Sequence, residues 1–281
     1  DAYRLTAEER KDPAGATVYN ETFEYDAVGN RIKQVKNGVE TLSTYNENNQ
    51  LVQSVTAGVT TRYFYDLSGN NIRIVKPGEV TRMTYDELNR MTLWRQTGGG
   101  APKTERHIYR GAEWHRMGVV ANGSAKAFLY DGDNVVADMV NTGGAMTVES
   151  FYVTPFLDQN LSLTRGGATY WYTQDGLGSV RTVTGSSGVV QNAYDYSAWG
   201  EPYAPGTSSA ISQRYTYTGR EKSAVGGPMY YRYRPYSPHL GRMLNRNPWG
   251  HVHRERGHLY DYVSNSPVIY SEPYSLEWAK R

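Results

Sequence analysis

The chain has 281 residues, with 30 basic and 28 acidic side chains and a net charge of +2 at pH 7. This near-balance gives no electrostatic case for binding nucleic acid or an anionic membrane, and no apolar run reaches the ~20 residues needed to span a bilayer. Cysteine is absent, which excludes disulfides and thiolate metal sites, while 25 Tyr and 29 Gly favour half-exposed β-sheet joined by tight turns.

A short pattern of tyrosine followed by aspartate or asparagine recurs at a fixed spacing. Tyr25, Tyr45, Tyr65 and Tyr85 are each 20 residues from the next. Looser copies continue the period at Tyr109, Tyr130, Tyr152, Tyr172, Tyr194 and Tyr215. Such a period is typical of repeat proteins, whose units pack against their neighbours. Because Asp1 falls within a repeat, we expect a fragment of a longer protein.

Each repeat has the pattern of one β-hairpin. An alternating strand over 22–25 leads into a turn at Gly29-Asn30, and a strand over 31–35 returns. Glycine and asparagine tolerate the positive φ of such turns. The turns at the other end are predicted at Asn37-Gly38, Ala57-Gly58 and Pro77-Gly78. A single hairpin cannot bury its apolar face, so we predict an all-β fold of stacked hairpins forming a curved sheet over residues 1–193.

The aspartates of the repeats are interpreted as structural. An Asp side chain accepts hydrogen bonds from turn amides two residues onward, which explains its place after tyrosine without catalysis. Glycine clusters elsewhere are predicted to be hairpin tips or, at 98–102, a longer loop. None has the strand-to-helix context of a phosphate-binding loop. The clusters interpreted as tips are Gly143-Gly144, Gly166-Gly167 and Ser186-Ser187-Gly188.

These repeats resemble the YD repeats of RHS-repeat proteins, which include polymorphic toxins, insecticidal toxin-complex C components and teneurins. Later segments are similar to the RHS-associated core of that family. They are Leu129-Tyr130-Asp131-Gly132-Asp133-Asn134-Val135, Asp175-Gly176-Leu177-Gly178-Ser179-Val180-Arg181, Tyr194-Asp195-Tyr196 with Trp199-Gly200-Glu201-Pro202, and the stretch 219–276. The resemblance implies a β ribbon spiralling into a hollow shell that a core module over 194–276 closes at one end. Residues 277–281 would begin a truncated or absent C-terminal segment.

In toxin members, the resemblance implies, the shell encloses a C-terminal cargo that the core releases by cutting the chain with two aspartates. Asn247 and Glu272 stand at the corresponding positions here, and the cut would fall after Ser275, where the family has glycine. An aspartyl site needs two carboxyl groups sharing a proton, and Asn247 cannot ionise. We therefore expect no self-cleavage, unless a carboxylate beside Glu272 replaces the missing one. The candidates are Asp261, Glu255 and Glu277.

Two other kinds of site were considered. His251 and His253, with His239 and His258 nearby in sequence, could hold zinc or copper, but the arginines around them favour a solvated loop. We therefore assign no metal and no cofactor.

The run 231–234 alternates Tyr and Arg, and on one strand it would place tyrosines on one face and arginines on the other. It could form a platform for carbohydrate or an anion. We favour the structural interpretation, in which the tyrosines line a core and the arginines pair with carboxylates of the wall. The tryptophans Trp171, Trp199 and Trp249 are likewise expected to pack.

These observations favour a non-enzymatic structural shell and end plug of a large RHS protein, secreted or at the cell surface. One alternative is a toxin carrier that cuts itself after Ser275. Another is a carbohydrate-binding surface module. The expected partners are the rest of its own shell, a C-terminal cargo polypeptide, and a surface protein or glycan. Neither nucleic-acid binding nor a membrane span is expected.

Overall fold

The computed structural model describes residues 3–248 and 258–276, together with the backbone of residues 279–280. The strands of its large sheet are β1 Ala7–Lys11, β2 Thr17–Tyr25, β3 Arg31–Lys36, β4 Val39–Tyr45, β5 Leu51–Thr56, β6 Val59–Tyr65, β7 Asn71–Lys76, β8 Glu79–Tyr85, β9 Met91–Gly98, β10 Lys103–Tyr109, β11 Arg116–Ala121, β12 Ser124–Asp131, β13 Asn134–Thr142, β14 Ala145–Val153, β15 Ser162–Arg165, β16 Ala168–Gln174, β17 Val180–Gly185, β18 Val190–Ala193 and β19 Ser208–Ser209. The remaining strands are β20 Met229–Tyr231, β21 Arg234–Ser237, β22 Arg242–Met243, β23 Tyr270–Ser271 and β24 Ala279–Lys280, and 3-10 turns cover Ala204–Gly206, Tyr217–Gly219 and Val263–Asn265. Among these residues no helix is long and apolar enough to cross a membrane.

The large sheet has 19 strands, and each pairs antiparallel with the next one along the chain. This order is the simplest outcome of consecutive hairpins, because each short turn places its two strands side by side. The prediction of an all-β fold built from hairpin repeats is confirmed. We call strands β1 to β18 the wall, and residues 194–276 the closing segment. β18 ends at Ala193, and β19, which belongs to the closing segment, extends the same sheet by pairing with β18.

The turns at the two ends of the hairpins differ in construction. After Tyr25, Tyr65 and Tyr85 the next Asp side chain accepts from turn amides, as Asn46 does after Tyr45. For example, Asp86 Oδ1 bonds the amides of Leu88 and Arg90, both at 3.0 Å. We call this row of turns the Tyr-Asp end. At the opposite end, Asn37 and Gly38 have φ of +48° and +81°, the geometry of a type I′ hairpin turn. The predictions of structural aspartates and of glycine-containing tips are confirmed.

Buried asparagines link neighbouring turns at the Tyr-Asp end. Asn30 Nδ2 donates to Asp26 Oδ2 at 2.8 Å and to Asn49 Oδ1 of the next turn at 2.9 Å. Asn70 Nδ2 repeats the second contact with Asn89 Oδ1 at 2.8 Å. Each bond joins side chains about one repeat apart, so the asparagine holds adjacent hairpins together as well as shaping its own turn.

The wall curls until its first strand meets the start of the closing segment. Arg10 forms an ion pair with Asp195, and Glu8 Oε2 accepts from the amide of Ala198 at 2.6 Å. The rings of Tyr19 and Tyr203 lie edge to face with centroids 5.6 Å apart. The curved sheet expected from the repeats is therefore confirmed, and its concave face encloses the closing segment.

Tyrosines form much of the core inside this curl, as the interpretation of the 231–234 run expects for Tyr231. The tyrosine-rich composition by itself favours half-exposed sheet, and these buried rings depart from that expectation. Tyr231, Tyr236 and Tyr262 are completely buried, and their rings pack at centroid distances of 4.5–5.6 Å. The Tyr236 hydroxyl donates to the Trp199 carbonyl at 2.8 Å. A phenol suits this core because its ring fills space while its hydroxyl satisfies a buried carbonyl.

The tryptophans expected to pack fall into three cases. Trp199 is buried and lies edge to face against Phe23, with ring centroids 5.9 Å apart. Trp171 is 45% exposed, so the packing prediction is wrong for it, because its strand position points away from the concave face. Trp249 lies outside the described residues.

Candidate functional site

The Tyr-Arg run does not lie on one strand, and this corrects the alternation expected from its sequence. β20 ends at Tyr231 and β21 begins at Arg234, so Arg232 and Tyr233 form the turn between them. Tyr231 and Arg234 are direct partners across this hairpin. The hairpin buries Arg232 and Arg234 to 3% and 2% exposure, whereas Tyr233 stays partly exposed.

The two arginines of this hairpin take different partners. Arg232 pairs with Asp158 of the wall, with Nη2 2.8 Å from Oδ1, as the structural interpretation expected. Arg234 instead pairs with Glu272 of the closing segment, with Nη2 3.2 Å from Oε2. Both ion pairs are inaccessible to water, so removing one partner would leave an uncompensated buried charge.

The bond between Ser275 and Leu276 lies against Arg234. The Arg234 amide donates to Ser275 Oγ at 2.9 Å, and its Nε donates to the Ser275 carbonyl oxygen. Ser275 is fully buried with φ of +58°, a conformation that favours glycine. Serine therefore occupies a glycine-type conformation here, and its hydroxyl is held by a backbone amide.

Glu272 and Asn247 both lie near this bond, and they differ in chemical role. Glu272 is 5% exposed, and its Oε1 accepts from the amide of Val263 at 3.4 Å. Asn247 Nδ2 donates to the Leu276 carbonyl at 2.9 Å. The two predicted positions are thus both placed near the residue 275–276 segment. One contributes a carboxylate engaged with Arg234, and the other an amide that donates a hydrogen bond.

Of the carboxylates considered as replacements, Asp261 lies within the described residues, and Glu255 and Glu277 lie outside them. Burial lowers the pKa of Arg234, and the negative charges of Glu272 and Asp261 oppose that effect. Asp261 is therefore close enough to act on the same guanidinium as Glu272. An aspartyl dyad differs from this arrangement, because its two carboxyl groups share a proton and not a cation.

The histidines considered for a metal site are separated. His258 Nε2 contacts Asn30 Oδ1 at 2.6 Å, and His239 Nδ1 contacts Glu201 Oε1 at 2.8 Å. His251 and His253 lie outside the described residues. Within the described part of the chain, no group of three His, Cys, Asp or Glu side chains is arranged to hold a metal ion.

Asp158 is a site residue that sequence reasoning missed. It is 3% exposed and binds two arginines, with Arg220 Nη1 at 2.6 Å and Arg232 Nη2 at 2.8 Å from the same oxygen. Burial by itself would raise the pKa of Asp158, but Arg220 and Arg232 hold it below its usual value. No local pattern marks this aspartate, because its partners are more than 60 residues away in sequence.

A second buried ion cluster joins the closing segment to the wall. Arg116 Nη2 lies 2.7 Å from Glu221 Oε2, and both side chains are 5% exposed. Glu105 contacts His107 at 2.9 Å and accepts from Ser223 Oγ at 2.8 Å. Burial raises the pKa of Glu105, but His107 and Arg116 oppose it more strongly and lower it to about 2. The carboxylate therefore remains charged in this interface.

The closing segment also donates hydrogen bonds to the whole row of turns at the Tyr-Asp end. For example, Asn265 Nδ2 reaches the Gly29 carbonyl at 3.0 Å, and the Tyr260 hydroxyl reaches the Gly69 carbonyl at 2.9 Å. The remaining contacts are Arg242 to Asn49 O, Asn245 to Asn89 O, Tyr230 to Trp114 O, Arg232 to Asp133 O, Arg220 to Asp158 Oδ1, and Thr218 N to Ser179 Oγ. Eight successive turns are contacted in chain order.

At the opposite end, described contacts with the closing segment come from strand ends, as between Lys36 and Glu201 or Arg165 and the Ser212 carbonyl, and not from the glycines of the tips. A Cβ added to Gly38, Gly58 or Gly78 would meet no atom of the described residues within 4 Å, and the same holds for Gly123 and Gly167. The closing segment therefore packs on the turns of the Tyr-Asp end, whereas at the opposite end the described glycine tips themselves are open.

The chain is similar to part of several much longer proteins whose names describe a nuclease or a deaminase toxin. No protein-family model matches the chain. It is 30% identical over 164 residues to the tRNA3(Ser)-specific nuclease WapA of Bacillus spizizenii, a match covering 57% of this chain and 7% of that protein. Over 180 residues it is 25% identical to the double-stranded DNA deaminase toxin A of Burkholderia cenocepacia, covering 57% of this chain and 12% of that protein. The chain thus spans about a tenth of the length of these relatives or less.

Solved structures share the fold over nearly the whole chain. The TcdB2-TccC3 crystal structure matches 97% of this chain and 18% of its own, with a TM-score of 0.56 and 17% identity. The Photorhabdus luminescens Tc holotoxin pore matches 97% of this chain and 17% of its own, also with a TM-score of 0.56 and 17% identity. At this identity the likeness concerns the fold.

Proposed function

We propose that this chain is a structural, non-enzymatic part of a larger RHS-type shell, in which residues 194–276 plug one end. The whole protein is proposed to be secreted or displayed at the cell surface. The plug would attach to the rest of its own shell, and the names of its relatives, a nuclease and a deaminase toxin, favour a C-terminal cargo polypeptide as a second partner.

The observation that carries this proposal is the set of hydrogen bonds from the closing segment to eight successive turns. In this set, six of the eight acceptors are turn carbonyls of the wall, the other two are the side chains of Asp158 and Ser179, and every donor belongs to the closing segment. A lid over a ligand site is expected to contact one region of the wall, whereas a cap must contact the turns along its whole end. The contacts follow the rim.

The small size of the cavity between the wall and the closing segment supports a shell built from additional strands. A cavity of about 600 Å³ lies between the wall and the closing segment, lined by side chains such as Tyr63, Trp94 and Met229. That volume is typical of a small-molecule pocket. It is far too small for a folded domain of 100 residues, whose radius of gyration is about 13 Å. A folded cargo therefore requires shell beyond the residues present in this chain.

The absence of self-cleavage is proposed from the chemistry around Ser275. Proton sharing between two carboxyl groups is the basis of aspartyl catalysis, and the amide of Asn247 cannot take part. Glu272 is engaged by the guanidinium of Arg234 at 3.2 Å. We therefore propose that the described residues around Ser275 hold the 275–276 segment in place and do not act as a general acid and base.

One observation favours the alternative of a toxin carrier that cuts itself. Arg234 Nε donates to the Ser275 carbonyl oxygen, which is the kind of contact that stabilises a developing oxyanion. The carbohydrate-binding alternative has less support, because Tyr231 is fully buried and cannot serve in a sugar platform.

The test is the intact mass of the purified chain carrying additional C-terminal residues. We expect one uncut species. A cut after Ser275 that Glu272→Ala abolishes would contradict the non-enzymatic proposal and support the carrier.

A gain-of-function variant provides the matched control for this measurement. The triple substitution Asn247→Asp, Glu272→Asp and Ser275→Gly restores the aspartate pair and the glycine that the family resemblance implies. We expect this variant to be cut after residue 275 under the same conditions. The contrast would show that side-chain chemistry, and not misplacement of the 275–276 segment, prevents cleavage in the natural sequence.

A further inference from the structure

Five exposed arginines lie on the convex face of the wall, away from the closing segment. They are Arg62, Arg73, Arg82, Arg95 and Arg106, one on each of the strands β6 to β10. We call them the arginine row. Their inward neighbours, such as Tyr63, Met83 and Trp94, are buried against the core, which fixes the arginines on the outer face by strand alternation.

The strand register makes this row continuous. Arg73 is the direct partner of Arg82, and Arg82 is the direct partner of Arg95. Arg62 is a diagonal neighbour of Arg73, because Phe64, two residues after Arg62, is the direct partner of Arg73. Arg106 is related to Arg95 in the same way, because Arg106 pairs with Leu93, two residues before Arg95. Neighbours of this diagonal kind are still within reach of long side chains. With strands ~4.8 Å apart, the row crosses about 19 Å of the surface.

No carboxylate compensates this charge. Strands β6 to β10 contain two acidic residues, Glu79 and Glu105. Glu105 is buried on the concave face, and Glu79 lines the internal cavity beside Lys76. None of the five arginines forms an ion pair with any described residue.

A different part of the same convex face shows that interleaved charges are possible in this sheet. Lys33 on β3 lies 3.4 Å from Glu24 on β2 and 3.2 Å from Glu40 on β4. Like charges placed directly opposite one another destabilise a sheet, so the arginine row carries a repulsion that the Lys33 region avoids. An external anion would relieve this repulsion.

We propose that the arginine row is a binding site for a linear phosphate polymer without nucleobases, which would lie across the strands. A guanidinium binds phosphate oxygens through two parallel hydrogen bonds and remains charged at any physiological pH. Five such groups in a line match repeated charges on an extended chain. The overall charge of +2 conceals this site, because the acidic side chains are in turns, in the core and in ion pairs elsewhere.

The surroundings of the row favour such a polymer over single-stranded nucleic acid. Nucleic-acid sites without sequence preference stack bases on exposed aromatic rings. Phe64 is the aromatic residue on the outer face of these strands, and the Arg73 guanidinium covers its ring at 4.0 Å. No ring is therefore free for a base. A narrow row on a convex sheet also presents few groups to a flat lipid surface.

The test is titration of the whole chain with long-chain inorganic polyphosphate between ~50 and ~200 mM NaCl. We expect binding that weakens steeply with salt. The triple variant Arg73→Gln, Arg82→Gln and Arg95→Gln should bind at least about tenfold more weakly at the lowest salt, with a salt slope shallower by ~2–3. The control Lys11→Gln, Lys33→Gln and Lys76→Gln removes the same charge outside the row and should bind as the natural chain does.

A single charge reversal separates binding from folding. Arg82→Glu places a carboxylate between Arg73 and Arg95, so we expect it to raise the melting temperature while weakening polyphosphate binding at least as much as the triple variant. The proposal is overturned if the natural chain does not bind polyphosphate at low salt, or if the lysine control loses binding equally. It is also overturned if phosphatidylserine vesicles bind in place of polyphosphate, or if an oligonucleotide binds more tightly in a base-dependent way.

Discussion

Asp158 shows at the scale of one residue how the closing segment is attached to the wall. Its carboxylate lies 2.6 Å from Arg220 and 2.8 Å from Arg232, and all three side chains are almost inaccessible to water. Both arginines share this one carboxylate, and Glu221 also acts on Arg220. The cluster is vulnerable because none of these buried charges can be solvated if a partner is lost.

We predict that Asp158→Ala destabilises the protein by about 3–5 kcal/mol, since it leaves two buried guanidiniums without their carboxylate. The free energy of unfolding in urea measures this. Asp131→Ala is the matched control, because Asp131 is exposed at the end of β12, and its effect should stay within ~0.5 kcal/mol. Equal effects of the two substitutions would contradict the role assigned to Asp158.

At the scale of elements, the turns of the Tyr-Asp end form a surface on which the closing segment rests. Gly69 has φ of +85°, and a Cβ placed there would lie 2.6 Å from the Tyr260 hydroxyl oxygen. Gly58 at the opposite end has nearly the same conformation, with φ of +79°, but no described atom within 4 Å of such a Cβ. The two glycines therefore share backbone strain and differ in contact.

We predict that Gly69→Ala costs about 1–3 kcal/mol more stability than Gly58→Ala, because only the first forces the closing segment away from its turn. Thermal or urea unfolding of the two variants gives the difference. In a Tyr260→Phe background the obstructing hydroxyl is gone, so the excess cost of Gly69→Ala should shrink. An unchanged excess would place its cause in the turn itself.

At the scale of the whole molecule, buried titratable groups make the closed form sensitive to acid. Burial, reinforced by the charges of Arg242, Arg4 and Arg234, lowers the pKa of His258 from 6.5 to about 3. Its Nε2 bonds Asn30 while Nδ1 accepts the amide of Tyr260, so the neutral ring is the one that fits. The folded protein likewise favours the charged carboxylate of Glu105, whose pKa is lowered from 4.5 to about 2.

We predict that the free energy of unfolding is greatest above pH 6.5. The contribution of His258 is lost as the pH drops from 6.5 towards 3, and that of Glu105 is lost between pH 4.5 and 2. Both folded-state pKa values lie below their unfolded values, so the unfolded chain binds more protons throughout these ranges. Melting temperature measured against pH checks this. His258→Asn should flatten the curve between pH 6.5 and 4.5, and an unaltered slope there would show that His258 does not contribute.

Local sequence determined the hairpins, their turns and the all-β class, because these depend on short-range requirements. Positive φ at Gly38 demands glycine or asparagine, and an aspartate can reach turn amides only two to four residues away. The family resemblance, and not these short-range requirements, indicated Asn247, Glu272 and Ser275, which the structure places around one segment of chain.

Tertiary structure alone decided which of these residues meet. The curl of the wall buries tyrosines that look like surface residues in a flat sheet, and it brings Asp158 to arginines more than 60 residues away. Strand register decided that Arg73, Arg82 and Arg95 stand in line, since a slip of one residue would move each to the opposite face. Long-range pairing depends on contacts between distant strands, and no local pattern in the chain specifies it.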